Sequence, residues 1–362
     1  MIDAQELTAL TVYEWAHEQK HAFLTRELCE LTRRHAQGCA EYAKLLSLFG
    51  TELEKVSGFE ALPFLPVRLF KEYALKSVSE ESLHKTMTSS GTTGQQVSRI
   101  FLDRDTSTLQ SKVLSKIVGE FLGKQRLPMI ILDTSALVKN RAMFSARGAG
   151  ILGFSLFARD KMYALDENMQ LDVAGLAAFL AKHEGEEIFL FGFTFMVYQH
   201  FLAELRRVGY HPDLSRGVLI HGGGWKKLAD QAISTAQFKQ ELLELCGISR
   251  VHNYYGMVEQ TGTIYMECEC GRLHAPLWSD VTIRRAKDFS VADMGESGLI
   301  QVSSLLARSY PGHILLTEDM GRLLGEDDCP CGRMGKTFEI AGRVKRAELR
   351  GCSDTYEQKP TA

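Results

Sequence analysis

IFLFGFTFMVYQHFLAELRRVGYHPDLSRGVLIHGGG, residues 188–224, decides the reading of the fold. It opens on the apolar run Ile188-Phe189-Leu190-Phe191, closed by Gly192. Residues 194–207 then carry a helical pattern, and Val218-Leu219-Ile220 is a second apolar run that enters the glycines Gly222, Gly223 and Gly224. A run too short for a helix, bounded by glycine and rich in aromatic and β-branched side chains, reads as a buried strand. Strand, helix and strand again is the pattern of parallel strands covered by helices.

Outward from there the alternation continues. Met129-Ile130-Ile131-Leu132 ends at Asp133 as another buried strand, residues 235–246 read as a helix, and Arg250 to Tyr255 as a strand. Near the start, Phe23, Leu24, Leu28 and Leu31, then Tyr42, Leu45 and Leu46, recur at helical spacing with charges between them. Leu62-Pro63-Phe64-Leu65-Pro66-Val67 cannot be a regular helix, because each proline lacks a donor and restricts its predecessor. From about residue 264 the strands shorten, glycines become frequent and paired cysteines appear. The expected organisation is an α/β protein. It has a helical segment 1–85 packed on the main domain, an α/β domain 86–263, a β-rich portion 264–342 and a short polar tail 343–362.

Composition limits the function classes. The formal net charge is -3 and the pI about 6.4, which supplies no electrostatic reason to expect nucleic acid or an anionic membrane as partner. No stretch approaches the ~18 uninterrupted apolar residues of a membrane span, and MIDAQELTAL lacks a basic region leading into an apolar run. A cytoplasmic protein is expected, with its eight cysteines reduced.

Thr88-Ser89-Ser90-Gly91-Thr92-Thr93-Gly94 supplies hydroxyls and backbone N–H groups at high density, with glycines that permit close approach. Such a loop can wrap phosphate oxygens; the bland alternative is a polar surface linker. It is not a Walker loop, since the closing Gly-Lys-Ser/Thr is missing. Gly119 to Lys124 is one residue short of that pattern. Gly148-Ala149-Gly150-Ile151-Leu152-Gly153 fits the dinucleotide pattern but follows the polar Ser145-Ala146-Arg147 instead of a strand.

The loop is followed in order by His221-Gly222-Gly223-Gly224, Asn253-Tyr254-Tyr255-Gly256-Met257-Val258-Glu259, Thr317-Glu318-Asp319 and Gly342-Arg343. This ordered set resembles the adenylate-forming superfamily of acyl-CoA synthetases, adenylation domains and luciferases, over residues 86–345. The resemblance implies the fold of that superfamily's N-terminal-type domain, with ATP and Mg2+ as cofactors. By resemblance Ser89, Ser90, Gly91, Thr92, Thr93 and Gly94 hold the ATP phosphates, and Gly222, Gly223 and Gly224 line the adenine. Tyr255, beside Gly256, stacks on adenine. Glu259 holds magnesium, Asp319 grips the ribose hydroxyls, and Arg343 adds a ribose or phosphate contact. These roles suit the side chains: a hard cation takes oxygen ligands and a purine face suits an aromatic ring.

A nearer likeness is to the LuxE-type acyl-protein synthetases, the fatty-acid-activating component of the bacterial bioluminescence reductase system. Leu62 to Val67, His221 to Lys227 and Arg350-Gly351-Cys352-Ser353-Asp354 carry it, and it runs nearly end to end. It implies a fatty acid substrate and a reductase as acyl-accepting partner. Two departures from the superfamily stand out. Gln95-Gln96-Val97 replace the usual x-Pro-Lys after the loop, so Lys226 or Lys227 is expected to supply charge. Only residues 344–362 follow Arg343, so no full C-terminal domain is expected. The rivals are a phenylacetate-type coenzyme A ligase and a non-catalytic acyl-binding subunit of a reductase.

Cys268-Glu269-Cys270-Gly271-Arg272 and Cys329-Pro330-Cys331-Gly332-Arg333 use one pattern twice. Two such turns can bring four thiolates into a tetrahedron, a closed structural zinc site. Cys268, Cys270, Cys329 and Cys331 are the expected ligands and His274 a substitute. Cys29, Cys39 and Cys246 are expected to be buried. Cys352, in polar sequence beside Gly351 and near Arg350, is expected to be exposed. The family likeness makes it the candidate acyl acceptor. Phe191, Phe193, Phe195 and Met196 could line an acyl pocket, although an aromatic cluster at a strand end is more often core.

Overall fold

A computed structural model describes residues 1–89, 97–139, 146–224 and 233–344. Ser90 to Gly94, Lys226, Lys227 and Cys352 lie outside the described residues. In chain order the strands are β1 (Leu65–Pro66), β2 (Leu83–Thr88), β3 (Arg99–Asp103), β4 (Leu127–Thr134), β5 (Ala158–Leu165), β6 (Ile188–Phe193) and β7 (Gly217–Gly222). They continue with β8 (Arg250–Tyr255), β9 (Tyr265–Glu267), β10 (Leu273–His274), β11 (Ser279–Arg284), β12 (Gly298–Ser304), β13 (Ile314–Glu326) and β14 (Lys336–Arg343). The chain forms two compact units, one of residues 121–254 and one that joins 1–89, 97–120 and 255–344.

The unit of residues 121–254 is the parallel α/β layer expected from the apolar runs. Its strands lie in the order β8-β7-β6-β4-β5, parallel throughout. Every residue of β4, β6 and β7 is buried, which explains why these strands read as continuous apolar runs without alternation. Ile130, Leu190 and Leu219 meet Phe201, Leu205, Phe238 and Leu242 from the helices in one core. Burying one such side chain contributes about 1.5–3 kcal/mol. The helix after β6 runs from Thr194 to Val208 with a π-helical stretch, Val197–Leu202, inside it. Gly148, Gly150 and Gly153 fall inside the helix Ala146–Phe154, not in a strand-to-helix turn, so they build no dinucleotide site.

The other unit is antiparallel. Its strands follow the order β11-β12-β13-β14-β10-β9, and β1 joins β13 in parallel through Leu65 and Pro66, opposite Leu315 and Leu316. The Leu62–Val67 stretch is thus extended, as its prolines require. The hairpin β2–β3 and the N-terminal helix His17–Gly38 belong to this unit, not to the α/β layer. Lys20 fastens that helix: its Nζ donates to the Ala275 carbonyl at 2.9 Å and lies 3.3 Å from Asp280, both side chains almost fully buried. Removing one partner of such a buried pair typically costs about 3–5 kcal/mol. The boundary expected at 263/264 falls inside this unit, which already begins its third segment at Tyr255.

Candidate functional site

β2 and β3 form an antiparallel hairpin whose connection is the glycine-rich loop. At its base Ser89 N donates to the Ser98 carbonyl at 3.1 Å, and Ser98 N donates to Ser89 Oγ at 2.9 Å. Glu259 sits in the short 3-10 turn Val258–Gln260, buried. Burial pushes its carboxyl above the ordinary value, while Ser98, Lys71 and Arg343 act in the opposite sense. The carboxylate, the loop base and Arg343 therefore share one electrostatic neighbourhood.

β13 and β14 supply the rest of it. Asp319 lies opposite Arg343 in the antiparallel register. Arg343 Nε is 3.6 Å from Asp319 Oδ1, and its Nη2 is 3.3 Å from Glu318 Oε2. Tyr255, ending β8, donates its hydroxyl to Asp319 Oδ2 at 2.7 Å. Burial and the Asp319 charge hold that phenol well above its ordinary value, so it remains a donor. Thr317 Oγ1 accepts from Asp319 N at 3.1 Å, orienting the acid. A side chain at Gly256 would press on Ile264 at 3.0 Å. Tyr255, Glu259, Asp319 and Arg343, which span positions 255–343, are thus brought into one unit. Thr317 and Glu318, which stand in the same ordered motif as Asp319, join them through the Thr317–Asp319 and Glu318–Arg343 contacts.

In the α/β unit, β7 runs into Gly222 and Gly223. A Cβ on Gly222 would lie 2.4 Å from the Tyr254 ring, and Gly223 has φ +75°, so both positions exclude larger residues. Thr194 holds the turn: its Oγ1 lies 2.8 Å from the Gly223 carbonyl, 3.2 Å from that of Gly222 and 2.9 Å from His221 Nδ1. Burial pushes His221 down to about 3, so the imidazole is neutral. Sequence reasoning missed Thr194, whose hydroxyl beside a glycine turn is visible only after β6 and β7 pair. Phe191, Phe193 and Met196 are buried, with Phe191 stacked on Phe154 at 4.3 Å, so they act as core here; Phe195 is half-buried.

The two Cys-x-Cys turns converge, with one correction. The clustered ligand atoms are those of Cys268, His274, Cys329 and Cys331, all within 4.8 Å of one another. Cys270 is exposed and outside this set. The reason is the hairpin β9–β10: Gly271 N donates to the Cys268 carbonyl and Cys268 N to the Arg272 carbonyl, so Cys270 sits at the tip. His274 is fully buried on the following strand. A tetrahedral zinc with Zn–S about 2.3 Å and Zn–N about 2.0 Å sets S–S edges of about 3.8 Å and S–N edges of about 3.5 Å. The sulfurs of Cys268 and Cys329 are 3.7 Å apart, and Cys331 Sγ is 3.4 Å from His274 Nε2. Burial, reinforced by Arg333, Lys20 and Arg272, lowers His274 to about 4 and leaves it neutral, as a metal ligand must be. The donor set therefore fits zinc.

Among the described residues, no helix is long and apolar enough to cross a membrane. Comparison with known proteins gives the family. The model of the family described as acyl-protein synthetase, LuxE, matches residues 2–361. A long-chain-fatty-acid–luciferin-component ligase of Vibrio harveyi is 24% identical over 97% of this chain and 92% of its own length. The corresponding ligase of Aliivibrio fischeri is 23% identical over 94% of this chain and 89% of its own. Among solved structures, an open conformation of 2-hydroxyisobutyryl-CoA ligase, in complex with 2-HIB-AMP and CoA, superimposes with a TM-score of 0.71. That match is 13% identical and covers 92% of this chain and 77% of that one, a likeness of fold. The chain therefore belongs to the LuxE acyl-protein synthetase family and is a ligase with the adenylate-forming fold.

Proposed function

We propose that this protein activates a long-chain fatty acid with ATP and then carries the acyl group on Cys352 for delivery to a reductase. The observation that carries the first half is the linked set Tyr255, Asp319 and Arg343 beside buried Glu259 and the base of the glycine-rich loop. In the first step a carboxylate oxygen attacks the α-phosphorus of ATP, and pyrophosphate leaves to give acyl-AMP. Asp319 suits the ribose hydroxyls and Tyr255 the adenine face. Ser89 and the loop that follows it suit the phosphate oxygens. Glu259 would hold magnesium, which supplies charge neutralisation at the phosphates. In the second step the Cys352 sulfur, its proton lost, attacks the acyl carbonyl, and AMP departs with the bonding electrons.

The test is incubation with ATP, magnesium and labelled fatty acid, followed by a denaturing gel. Label on the protein that hydroxylamine releases supports the proposal. Label on added coenzyme A, with none on the protein, replaces it by a coenzyme A ligase. No label and no AMP leaves a non-catalytic acyl-binding subunit.

We also propose that one structural zinc per chain occupies Cys268, His274, Cys329 and Cys331. Metal analysis of protein purified without chelator is expected to find about one zinc atom per chain. Cys270→Ser is expected to retain it, whereas His274→Ala and Cys329→Ser lose it and melt roughly 5–10 °C lower, equivalent to about 3 kcal/mol. Zinc lost from Cys270→Ser, or an unchanged melting temperature in Cys329→Ser, contradicts this ligand set.

A further inference from the structure

The turn Tyr310-Pro311-Gly312-His313 wraps the short 3-10 turn that carries Glu259. Tyr310 Oη donates to the Glu259 carbonyl at 2.8 Å. Gln260 Nε2 reaches three carbonyls, those of Gly312 at 2.9 Å, Val302 at 3.2 Å and His313 at 3.3 Å. Gln260 and Tyr310 are both buried, so neither set of bonds competes with bulk water. Gly312 must be glycine, because a Cβ there would lie 2.2 Å from the Tyr310 ring and 2.9 Å from the Glu259 carbonyl.

The clamp is itself anchored. His313 Nε2 lies 3.0 Å from Thr32 Oγ1 on the helix His17–Gly38, and its ring is 4.7 Å from that of His35 on the same helix. His35 in turn bonds Ser77 Oγ at 2.8 Å and the Ala307 carbonyl at 2.9 Å. Burial lowers both histidines far below their ordinary value, so both rings are neutral and the contact is not repulsive. One chain of contacts thus runs from the N-terminal helix through the turn 310–313 to the Glu259 carbonyl and to Gln260 beside it.

We propose that Gln260 and Tyr310 are positioning residues that set where the Glu259 carboxylate stands, and so how tightly the protein holds the magnesium ion of ATP. This rests on the reading of Glu259 as the magnesium carboxylate. A ligand on a three-residue turn has little rigidity of its own. Partners in the surroundings that fix a metal ligand typically change metal affinity about 10–100-fold when removed. Tyr310 holds the Glu259 carbonyl and Gln260 holds the residue that follows it, so together they fix the C-terminal side of the residue that bears the ligand. A structural role alone would lower stability without touching the metal requirement.

The experiments are calorimetric binding of ATP at increasing magnesium and fatty-acid-dependent pyrophosphate exchange titrated with magnesium at saturating ATP, on Gln260→Met, Tyr310→Phe and Glu259→Ala, each verified as folded by its melting transition. Gln260→Met keeps the side-chain length and removes the amide donor. Its half-saturating magnesium concentration is expected to rise roughly 10-fold with the KM for fatty acid unchanged, and added magnesium restores most of the rate. Tyr310→Phe removes one hydroxyl and is expected to raise it roughly 3-fold; it carries the test if Gln260→Met fails to fold. Unchanged magnesium dependence in the folded variants, with Glu259→Ala inactive, overturns the positioning role and leaves Glu259 in place. Normal exchange in Glu259→Ala overturns the magnesium reading itself.

Discussion

Replacing Glu259 by alanine is expected to abolish pyrophosphate exchange and to leave the fold intact. The side chain offers two hard oxygens in a buried place where water does not screen them, which is what a magnesium-bound phosphate requires. Loss of the ligand is expected to lower exchange by at least about 100-fold, a transition-state loss of about 2.7 kcal/mol. Stability is expected to change little. Burial penalises this carboxyl, as its raised value records, so the folded protein gains little from it. The backbone contacts of the turn, from Tyr310 and Gln260, survive the substitution. The check is exchange of labelled pyrophosphate into ATP, with the melting temperature measured on the same sample. Exchange near the wild-type rate in a folded variant removes Glu259 from the reaction. A collapse in melting temperature makes its role structural instead.

What could be read from the sequence follows burial. β4, β6 and β7 were legible because strands buried on both faces are written as unbroken apolar runs. The hairpin β2–β3 was not, since β2 is mostly exposed and its sequence Leu83-His84-Lys85-Thr86-Met87-Thr88 lacks a clean alternation. Its membership of the antiparallel unit was hidden as well, because it forms a two-stranded sheet of its own and shares that unit with strands more than 150 residues later in the chain. Glu259, Asp319 and Arg343 were found through an ordered family pattern, and they sit together only after β13 and β14 pair in the register that sets Asp319 against Arg343. The choice of His274 over Cys270 depends on which residue stands at the tip of a hairpin and which stands on its inward strand, and spacing alone does not encode that. Thr194 and Gln260 are polar residues that act on backbone carbonyls from elsewhere in the fold, so neither carries a local signature.

Cys352→Ser is expected to form acyl-AMP at close to the wild-type rate and to lose at least about 100-fold of the hydroxylamine-releasable label, because a serine hydroxyl is a far weaker nucleophile than a thiolate. The described cysteines narrow the field of rivals. Cys29, Cys39 and Cys246 are buried. Burial raises the thiols of Cys29 and Cys39 and takes that of Cys246 to about 12, so little thiolate forms at neutral pH. Cys268, Cys329 and Cys331 stand in the zinc-fitting cluster, where a bound metal would occupy their sulfur. The one described cysteine that is exposed and outside that cluster is Cys270 at its hairpin tip, which makes it the competitor. The decisive comparison is therefore Cys352→Ser against Cys270→Ser, each given ATP, magnesium and labelled fatty acid, with acyl-AMP quantified beside protein-bound label. Label kept by Cys270→Ser and lost by Cys352→Ser assigns the thioester to Cys352. The reverse pattern moves the acceptor to the hairpin tip. Label retained in both variants makes the acceptor another group, and loss of acyl-AMP itself from Cys352→Ser ties that residue to adenylation rather than to transfer.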